Sequence, residues 1–173
     1  MAAININRLT NANIYMDGSS LLGRAEEVNL PSIVYKMAEH KALGMVGTAE
    51  FFAGIEKMET KIKWNSFYQE VMKKAANPFK SVNMQVRSSL ENYTSGGKTG
   101  EVPVVCYMTA AYKGFPMGNF KQHDNVELES NLSVYYCKLE IDGNPIIEVD
   151  VTANIFKVDG VDVLAQYRAN LGI

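Results

Sequence analysis

The chain has 173 residues, a length that fits one domain with a buried core, and we expect residues 1–173 to form a single domain. Hydrophobic residues make up 47% and charged residues 21%, as in ordinary soluble globular proteins. The formal net charge of -2 is too small for nucleic-acid binding or membrane-surface attraction driven by bulk charge.

Charge is unevenly distributed along the chain. Residues 1–100 carry 12 Lys and Arg against 9 Asp and Glu, a net of +3, whereas residues 101–173 carry 5 against 10, a net of -5. Such a bias suits head-to-tail association of identical subunits, although an acidic face exposed to solvent is the more common cause.

No targeting segment or membrane helix is predicted. Residues 1–10 lack the continuous apolar stretch of a signal peptide, and no apolar run reaches the roughly 18–20 residues of a membrane helix. Cys106 and Cys137 lie in strand-like runs without CxxC or histidine-rich surroundings, so we expect buried, reduced thiols in a protein made in the cytoplasm. A disulfide between them would require the two strands to be neighbours.

The first part of the chain predicts a hairpin and a further strand. Residues 13–16 lead into Asp17-Gly18, a dipeptide suited to the positive φ angles of a tight turn. The return run, residues 21–30, is extended in character until Pro31 interrupts it. Apolar residues then alternate with others over residues 33–37, which indicates the next strand.

Residues 38–56 combine three glycines with several apolar side chains, and two interpretations stay open. The first is a long loop that docks on a neighbouring subunit, because a structureless loop of this length is uncommon in a compact domain and apolar groups favour burial. The second is a strand pair with a glycine bend that covers the subunit's own core. The candidate contact residues are Leu43, Met45, Val46, Phe51 and Phe52.

Residues 58–64 alternate apolar and charged side chains, which predicts a strand with one solvent-exposed face. Lys61 and Lys63 lie on that face, and Trp64 lies on the other. A short helix with one apolar stripe follows, with Asn65 or Ser66 as its cap, and it is ended by Asn77-Pro78. The Ser66-x-x-Gln69 spacing has the form of a capping box. Residues 82–87 predict another strand.

The middle of the chain predicts a turn-rich interval at 91–100, a strand at 102–108 and an irregular loop at 114–119. A long strand then begins at Val126 and reaches residue 141. Within it, one face is expected to carry Leu128, Leu132, Val134 and Tyr136.

The C-terminal part predicts two further turns at Asp142-Gly143 and Asp159-Gly160, with strands at 147–151 and 155–158. A last helix is expected near Val161, capped by Asp159 and ended by Gly172. The predicted fold class is therefore mainly β, with antiparallel strands and two short α-helices.

No motif for catalysis or a cofactor emerges. Residues 95–99, Ser-Gly-Gly-Lys-Thr, resemble the end of a phosphate-binding loop, but the required upstream glycine is replaced by Asn92 and a strand, not a helix, follows. The histidines have no metal-ligand or catalytic spacing. Glu140, Asp142, Glu148 and Asp150 could in principle form an acid–base or cation site, yet such carboxylates are far more often surface charge. We expect no enzyme, metal or cofactor.

The segment from Tyr135 to Ile173 resembles the end of the major tail tube protein family of contractile-tailed phages and R-type bacteriocins. Its pattern is a YY-x-KL-x-x-DG hairpin, an acidic E-x-D strand and a terminal GVD-x-L helix with an arginine. The N-terminal part agrees at Asp17-Gly18 and Gly44-Met45, whereas the match over residues 50–125 is weak. The signature residues are Tyr135, Tyr136, Lys138, Asp142, Gly143, Glu148, Asp150, Gly160, Val161, Asp162, Leu164 and Arg168.

The resemblance implies a β-sandwich or half-barrel subunit without catalytic residues. Six subunits would form a ring with a closed β-barrel, and rings would stack helically into a hollow conduit for DNA or ions inside a contractile sheath. The implied partners are other copies of the chain, the tail sheath protein, and baseplate and terminator proteins, with DNA passing non-specifically if the particle is a phage. The implied location is the virion tail, after synthesis in the host cytoplasm.

Three alternatives remain. A type VI secretion-like tube protein would have the same kind of ring-forming β fold, but it fits the terminal helix pattern less well. A monomeric carbohydrate-binding β-sandwich would need clustered exposed aromatic residues, and the nine tyrosines are scattered. A small hydrolase that uses Glu148 and Asp150 would depend on one hairpin.

Overall fold

The computed structural model describes residues 4–173, so Met1–Ala3 of the expected domain lie outside the described residues. Twelve strands and two short helices form within that range, which confirms the mainly β prediction. In chain order they are β1 (Ile6–Met16), β2 (Ser19–Ser20), β3 (Ala25–Asn29), β4 (Tyr35–His40), β5 (Ala49–Ile55), β6 (Met58–Trp64), α1 (Gln69–Ala75), β7 (Val82–Thr94), β8 (Gly97–Tyr112), β9 (Leu128–Ile141), β10 (Asn144–Asp150), β11 (Ile155–Val158), β12 (Val161–Asp162) and α2 (Ala165–Leu171). Neither helix in residues 4–173 is long and apolar enough to cross a membrane.

Ten strands form one antiparallel sheet in the order β12-β11-β10-β9-β8-β7-β1-β2. The long strand β9 has two partners on its second edge, because its first half pairs with β6 and its second half with β10. Strand β3 extends the sheet beyond β6. Strands β4 and β5 form a separate two-stranded sheet.

The core lies on one face of this sheet. Met58, Ile62 and Trp64 of β6 are buried, while the residues between them are more exposed, as the period-two pattern predicts. Val71 and Ala75 of α1 pack onto the same core. The core also includes Ile14, Met16, Met84, Met108, Leu132 and Val134.

Two polar side chains within the core have hydrogen-bond partners. Trp64 Nε1 donates to Ser130 Oγ at 3.0 Å, and Thr60 Oγ1 donates to the Asn29 carbonyl at 2.7 Å. Because an unpartnered buried polar group costs about 1–3 kcal/mol, these bonds allow polar residues on otherwise apolar strand faces.

The first predicted turn is confirmed, but the return run is broken. Asp17 and Gly18 have φ angles of 47° and 83°. Strand β2 has only two residues, after which Leu21 turns into the core and Gly23 adopts a φ of 74°. Strand β3 therefore pairs with β6 instead of with β1.

The predicted turn-rich interval at residues 91–100 is wrong. Strands β7 and β8 continue through it and leave only Ser95 and Gly96 at the tip of a long hairpin. The ladder runs from Val82↔Ala110 to Thr94↔Gly97, so pairing with a partner strand outweighs the local turn preference. The Ser-Gly-Gly-Lys-Thr run is this hairpin tip.

Both helix starts differ from prediction. Helix α1 begins at Gln69 with Tyr68 as its N-cap and without a side-chain cap, so neither Asn65 nor Ser66 caps it as predicted. Asn65 Oδ1 instead accepts from the Tyr68 hydroxyl, and Asn65 Nδ2 donates to the Gly23 carbonyl at 2.9 Å. It ends at Ala75, just before the predicted Asn77-Pro78 stop.

Helix α2 begins at Ala165, not near Val161, and Asp159 does not cap it. Val161 and Asp162 form β12 against β11, which delays the helix by one turn. Gly172 ends it with a φ of 74°, as predicted.

The long strand β9 changes face within its length. Val134 pairs with Ala110 and Tyr136 with Thr109, so Tyr135 is an extra residue on its strand. Leu128, Leu132 and Val134 are buried as predicted, but after the bulge the buried position passes to Cys137. The prediction that Tyr136 shares the core face is wrong for this reason.

Candidate assembly interface

The hairpin of β4 and β5 stands apart from the main sheet. Its ladder runs from Tyr35↔Ile55 to His40↔Ala49, with residues 41–48 as the connecting turn. The strand pair proposed in the second interpretation is therefore present, and Ile55 at its base packs against the core, but the turn of the hairpin does not cover the core. Leu43 and Val46 are 105% and 111% exposed, and Phe51 and Phe52 are 59% and 48% exposed.

Among residues 4–173, the contacts that anchor the hairpin lie at its base. The rings of Tyr35 and Phe52 lie 5.9 Å apart in an edge-on arrangement, and both lie within 6.3 Å of the Phe156 ring on β11. The Glu56 amide donates to the Val34 carbonyl at 2.9 Å. Leu43, Met45 and Val46 at the tip are thus held away from the sheet and available for contact. Their role in subunit contacts stays a prediction.

A groove of about 450 Å³ lies between the hairpin base and the C-terminal elements. Its lining is mostly apolar and contains one charged residue, Asp150. The residues that line it are Phe52, Ala53, Gly54, Ile55, Val149, Asp150, Val151, Asn154, Ile155, Leu164 and Tyr167.

Asp150 holds the turn beside this groove. Its Oδ1 accepts hydrogen bonds from Thr152 N at 2.9 Å, Thr152 Oγ1 at 2.7 Å and Ala153 N at 3.0 Å. Partial burial acts to raise the pKa of Asp150, but these hydrogen bonds outweigh it, so the pKa is lowered and the carboxylate stays ionised.

The polar outer face around β6 is balanced in charge. The Nζ atoms of Lys57 and Lys113 lie 2.9 and 2.6 Å from Glu59 Oε1. Lys61 Nζ lies 3.1 Å from Glu129 Oε1. Because of Lys113 and Lys57, the pKa of Glu59 falls to about 2.

A second group of charges on this face surrounds Lys63. Its Nζ atom lies 3.3 Å from Glu26 Oε2 and 3.0 Å from Glu127 Oε2. The two groups together contain four lysines and four glutamates. Trp64 is buried on the opposite face, as predicted, so its ring is not available for base stacking beside these cations.

The carboxylates of the C-terminal hairpin are paired with lysines. Lys157 Nζ lies 3.1 Å from Glu148 Oε2, and Lys138 Nζ lies 2.6 Å from Glu140 Oε1. Tyr136 donates to Glu148 at 3.3 Å, and burial with this carboxylate nearby raises the pKa of Tyr136 to about 12. Residues 4–173 contain no group of three or more His, Cys, Asp or Glu side chains that could hold a metal ion.

The structure brings together some of the signature residues and separates others. Asp142 and Gly143 form a tight turn with φ angles of 54° and 75°, and Gly160 lies in the next turn with a φ of 78°. Asp162 and Arg168 form an ion pair across the start of α2. Leu164 lines the groove, whereas Tyr135 and Val161 are exposed on other strands.

Cys106 and Cys137 lie on neighbouring strands β8 and β9, with their sulfur atoms 3.8 Å apart. Both are buried free thiols, as expected. Contact with the Cys137 thiol and burial raise the pKa of Cys106, so this thiol is unreactive at neutral pH.

An open strand edge is a feature that the sequence analysis missed. Strand β1 pairs with β7 along its length, but on its other edge β2 reaches only Tyr15 and Met16. Within residues 4–173, the remainder of that edge has no strand partner, and Ile6 and Leu9 are exposed there. The alternating isoleucines of residues 4–7 were the available signal.

The amino-acid sequence matches a known protein family. The sequence model of phage tail tube protein FII matches residues 6–172. The chain belongs to this family. As a tail tube protein, it is a structural subunit of a contractile tail tube.

Relatives and solved structures agree with this assignment. The tail tube protein of Escherichia phage P2 is 29% identical over 170 residues, which cover 96% of this chain and 97% of that protein. A chain of the PVC sheath–tube complex, from an extracellular contractile injection system in its extended state, shares the fold with a TM-score of 0.58 and 11% identity. The alignment covers 75% of this tail tube protein and 87% of that chain.

A chain of the PVC sheath/tube terminator complex, also in the extended state, gives a TM-score of 0.55 at 11% identity. There the alignment covers 75% of this chain and 92% of the other. At this level of identity the two structures show a shared fold. The family match also includes residues 50–125, where the sequence signature was weak.

Proposed function

We propose that this tail tube protein forms six-membered rings that stack helically into a hollow conduit inside a contractile sheath. The conduit carries DNA in a phage or ions in a bacteriocin. The proposal treats residues 1–173 as one tail tube domain of the virion tail, made in the host cytoplasm. It assigns no catalytic residue and no cofactor.

The proposed partners are further copies of the chain, the sheath protein, and terminator and baseplate proteins. The similarity to chains from a sheath–tube complex and a sheath/tube terminator complex supports the sheath and the terminator. The baseplate proteins are included because the family resemblance implies them as partners.

The observation that carries the proposal is the exposed apolar hairpin of β4 and β5. Leu43 and Val46 are fully exposed in the isolated subunit. Complete burial of one such side chain contributes about 1.5–3 kcal/mol, which favours a state in which another subunit covers them. A contact between different surfaces that does not close on itself generates a filament, as stacked rings require.

The open edge of β1 supports ring formation. An exposed edge presents unpaired backbone amides and carbonyls, and pairing with a neighbouring chain satisfies them. In a closed ring every subunit has a neighbour on both sides, so no such edge stays open. The exposed Ile6 and Leu9 on this strand add apolar area to the same contact.

We assign the conduit lining to the polar outer face around β6. Its lysines and glutamates pair with one another, for example Lys61 with Glu129 at 3.1 Å. Fixed cations without partners would bind the phosphates of passing DNA, whereas a charge-balanced polar face keeps the duplex hydrated and mobile.

Negative-stain microscopy of the purified protein over a range of concentrations tests this function. We expect rings and hollow tubes whose proportion rises with concentration. Monodisperse small particles at high concentration would contradict the proposal and favour a monomeric binding module.

A further inference from the structure

We propose that the tip of the β4–β5 hairpin of one subunit inserts into the groove beside the hairpin base of another copy. This inference rests on the proposed function, because it requires subunits that assemble. It adds the surface that receives the hairpin. The tip is defined as residues 41–48, and the groove is the 450 Å³ site that Asp150 borders.

The two surfaces are similar in polarity. At the tip, Leu43 and Val46 are fully exposed to solvent. The groove is concave, and Ile55, Val151 and Leu164 contribute apolar walls. Each surface exposes apolar area that the isolated subunit leaves uncovered, so one contact removes both from water.

The two surfaces also carry opposite charges, with one charged residue on each. Lys41 is the one charged residue among residues 41–48, and Asp150 is the one charged residue that lines the groove. The three hydrogen bonds of Asp150 all reach Oδ1. Within residues 4–173, Oδ2 of this side chain has no hydrogen-bond partner, so it is free to accept from a lysine of another subunit.

A subunit cannot fill its own groove with its own tip. The groove lies at the hairpin base, and the six residues of β4 extend the tip roughly 17 Å from that base at the usual rise per strand residue. The regular ladder between β4 and β5 holds this extension. Because tip and groove are different surfaces of one chain, each copy receives one tip and donates another, and the contact repeats along a stack.

Cysteine cross-linking tests the inference. Val46→Cys subunits and Val151→Cys subunits are mixed with excess wild-type protein, assembled into tubes, oxidised and separated on a non-reducing gel. Wild-type subunits keep the lattice intact even where a variant binds weakly. The native Cys106 and Cys137 are buried and do not compete. We expect a covalent dimer that contains one copy of each variant, since a disulfide forms only between closely apposed cysteines.

A matched control and a second variant make the result specific. Phe79→Cys lies at an apolar position outside the groove that is more exposed than Val151, 95% against 52%, and we expect no dimer when it replaces Val151→Cys. A chain with both Val46→Cys and Val151→Cys should give a ladder of dimers, trimers and larger species. Tubes without the mixed dimer, or a dimer with the Phe79→Cys partner, would overturn the inference and leave the proposed function intact. Absence of tubes from wild-type protein would overturn the proposed function itself.

Discussion

Arg168 on α2 forms a two-point ion pair with Asp162 on β12, with Nη1 3.3 Å from Oδ1 and Nη2 2.5 Å from Oδ2. Arg168 Nη1 also donates to the Asn154 carbonyl at 2.9 Å. The guanidinium therefore ties the last helix to the strand before it and to the turn beside the groove. Hydrogen bonds from Arg168 lower the pKa of Asp162.

Replacement of Asp162 by Asn should lower the melting temperature of the dilute subunit in a pH-dependent way. A carboxylate whose pKa is lowered on folding stabilises the fold above its unfolded pKa of about 3.9, and this contribution is lost as the pH falls through the lowered value. The difference in melting temperature between wild type and Asp162→Asn should thus be present at pH 6 and shrink below about pH 4.

Circular dichroism melts between pH 3 and pH 7 provide this measurement. Asp124→Asn is the control, because Asp124 lies in the exposed loop before β9 and its carboxylate has no ion pair within residues 4–173. A difference for Asp162→Asn that stays constant with pH would show that the ion pair is not its source.

Gly118→Ala should destabilise the subunit by about 1–3 kcal/mol, the usual cost of overpacking. A Cβ at Gly118 would lie 2.7 Å from Leu128 Cδ2 and 2.8 Å from Val126 Cγ2, and the φ of 72° disfavours any side chain. Gly114→Ala in the same loop is the control, because its Cβ would meet no atom within 4 Å. Urea denaturation compares the two. Equal unfolding midpoints would contradict the tight contact at Gly118.

Val46→Asp should raise the protein concentration needed for tube assembly without changing subunit stability by more than about 0.5 kcal/mol. The side chain is fully exposed in the subunit, so the carboxylate is solvated there, but an apolar contact in the tube would desolvate it. Light scattering and negative stain measure assembly.

The matched control is Phe79→Asp, which removes an equally exposed apolar side chain outside the hairpin. We expect this variant to assemble as the wild type does. Assembly of Val46→Asp at the wild-type concentration would argue against the hairpin tip as an assembly contact.

Glu129→Gln should increase the amount of duplex DNA that assembled tubes hold in a nuclease-protected form. It leaves Lys61 without its partner on the face assigned to the conduit lining. The uncompensated cation attracts phosphates, so the retained amount should fall as the salt concentration rises.

Glu70→Gln is the control for this charge change. It also removes the partner of one cation, Arg24, but Glu70 lies on α1, which packs against the opposite face of the sheet through Val71. DNA that binds this side stays open to the nuclease. Equal protection in both variants would contradict the assignment of the lining.

Much of the fold follows from local pattern. Strand β6 was predicted because its alternation of apolar and charged side chains over residues 58–64 matches the period of a half-buried strand. The turns at Asp17-Gly18 and Asp142-Gly143 were predicted because few other dipeptides tolerate positive φ at both positions. The terminal motif likewise indicated the family, which the match over residues 6–172 confirms.

The tertiary structure alone decided where strands end and which surfaces meet. Residues 91–100 have turn-forming composition, but the ladder between β7 and β8 outweighs it, and residues 91–93 also pair with residues 6–8 of the distant strand β1. The bulge at Tyr135 depends on the register with β8, which no local pattern contains. The groove beside Asp150 is built from β5, β10, β11 and α2, which lie up to about a hundred residues apart in the chain. Sequence by itself determined the periodicity, the turns and the family, because these depend on neighbouring residues, whereas register and surface depend on long-range pairing.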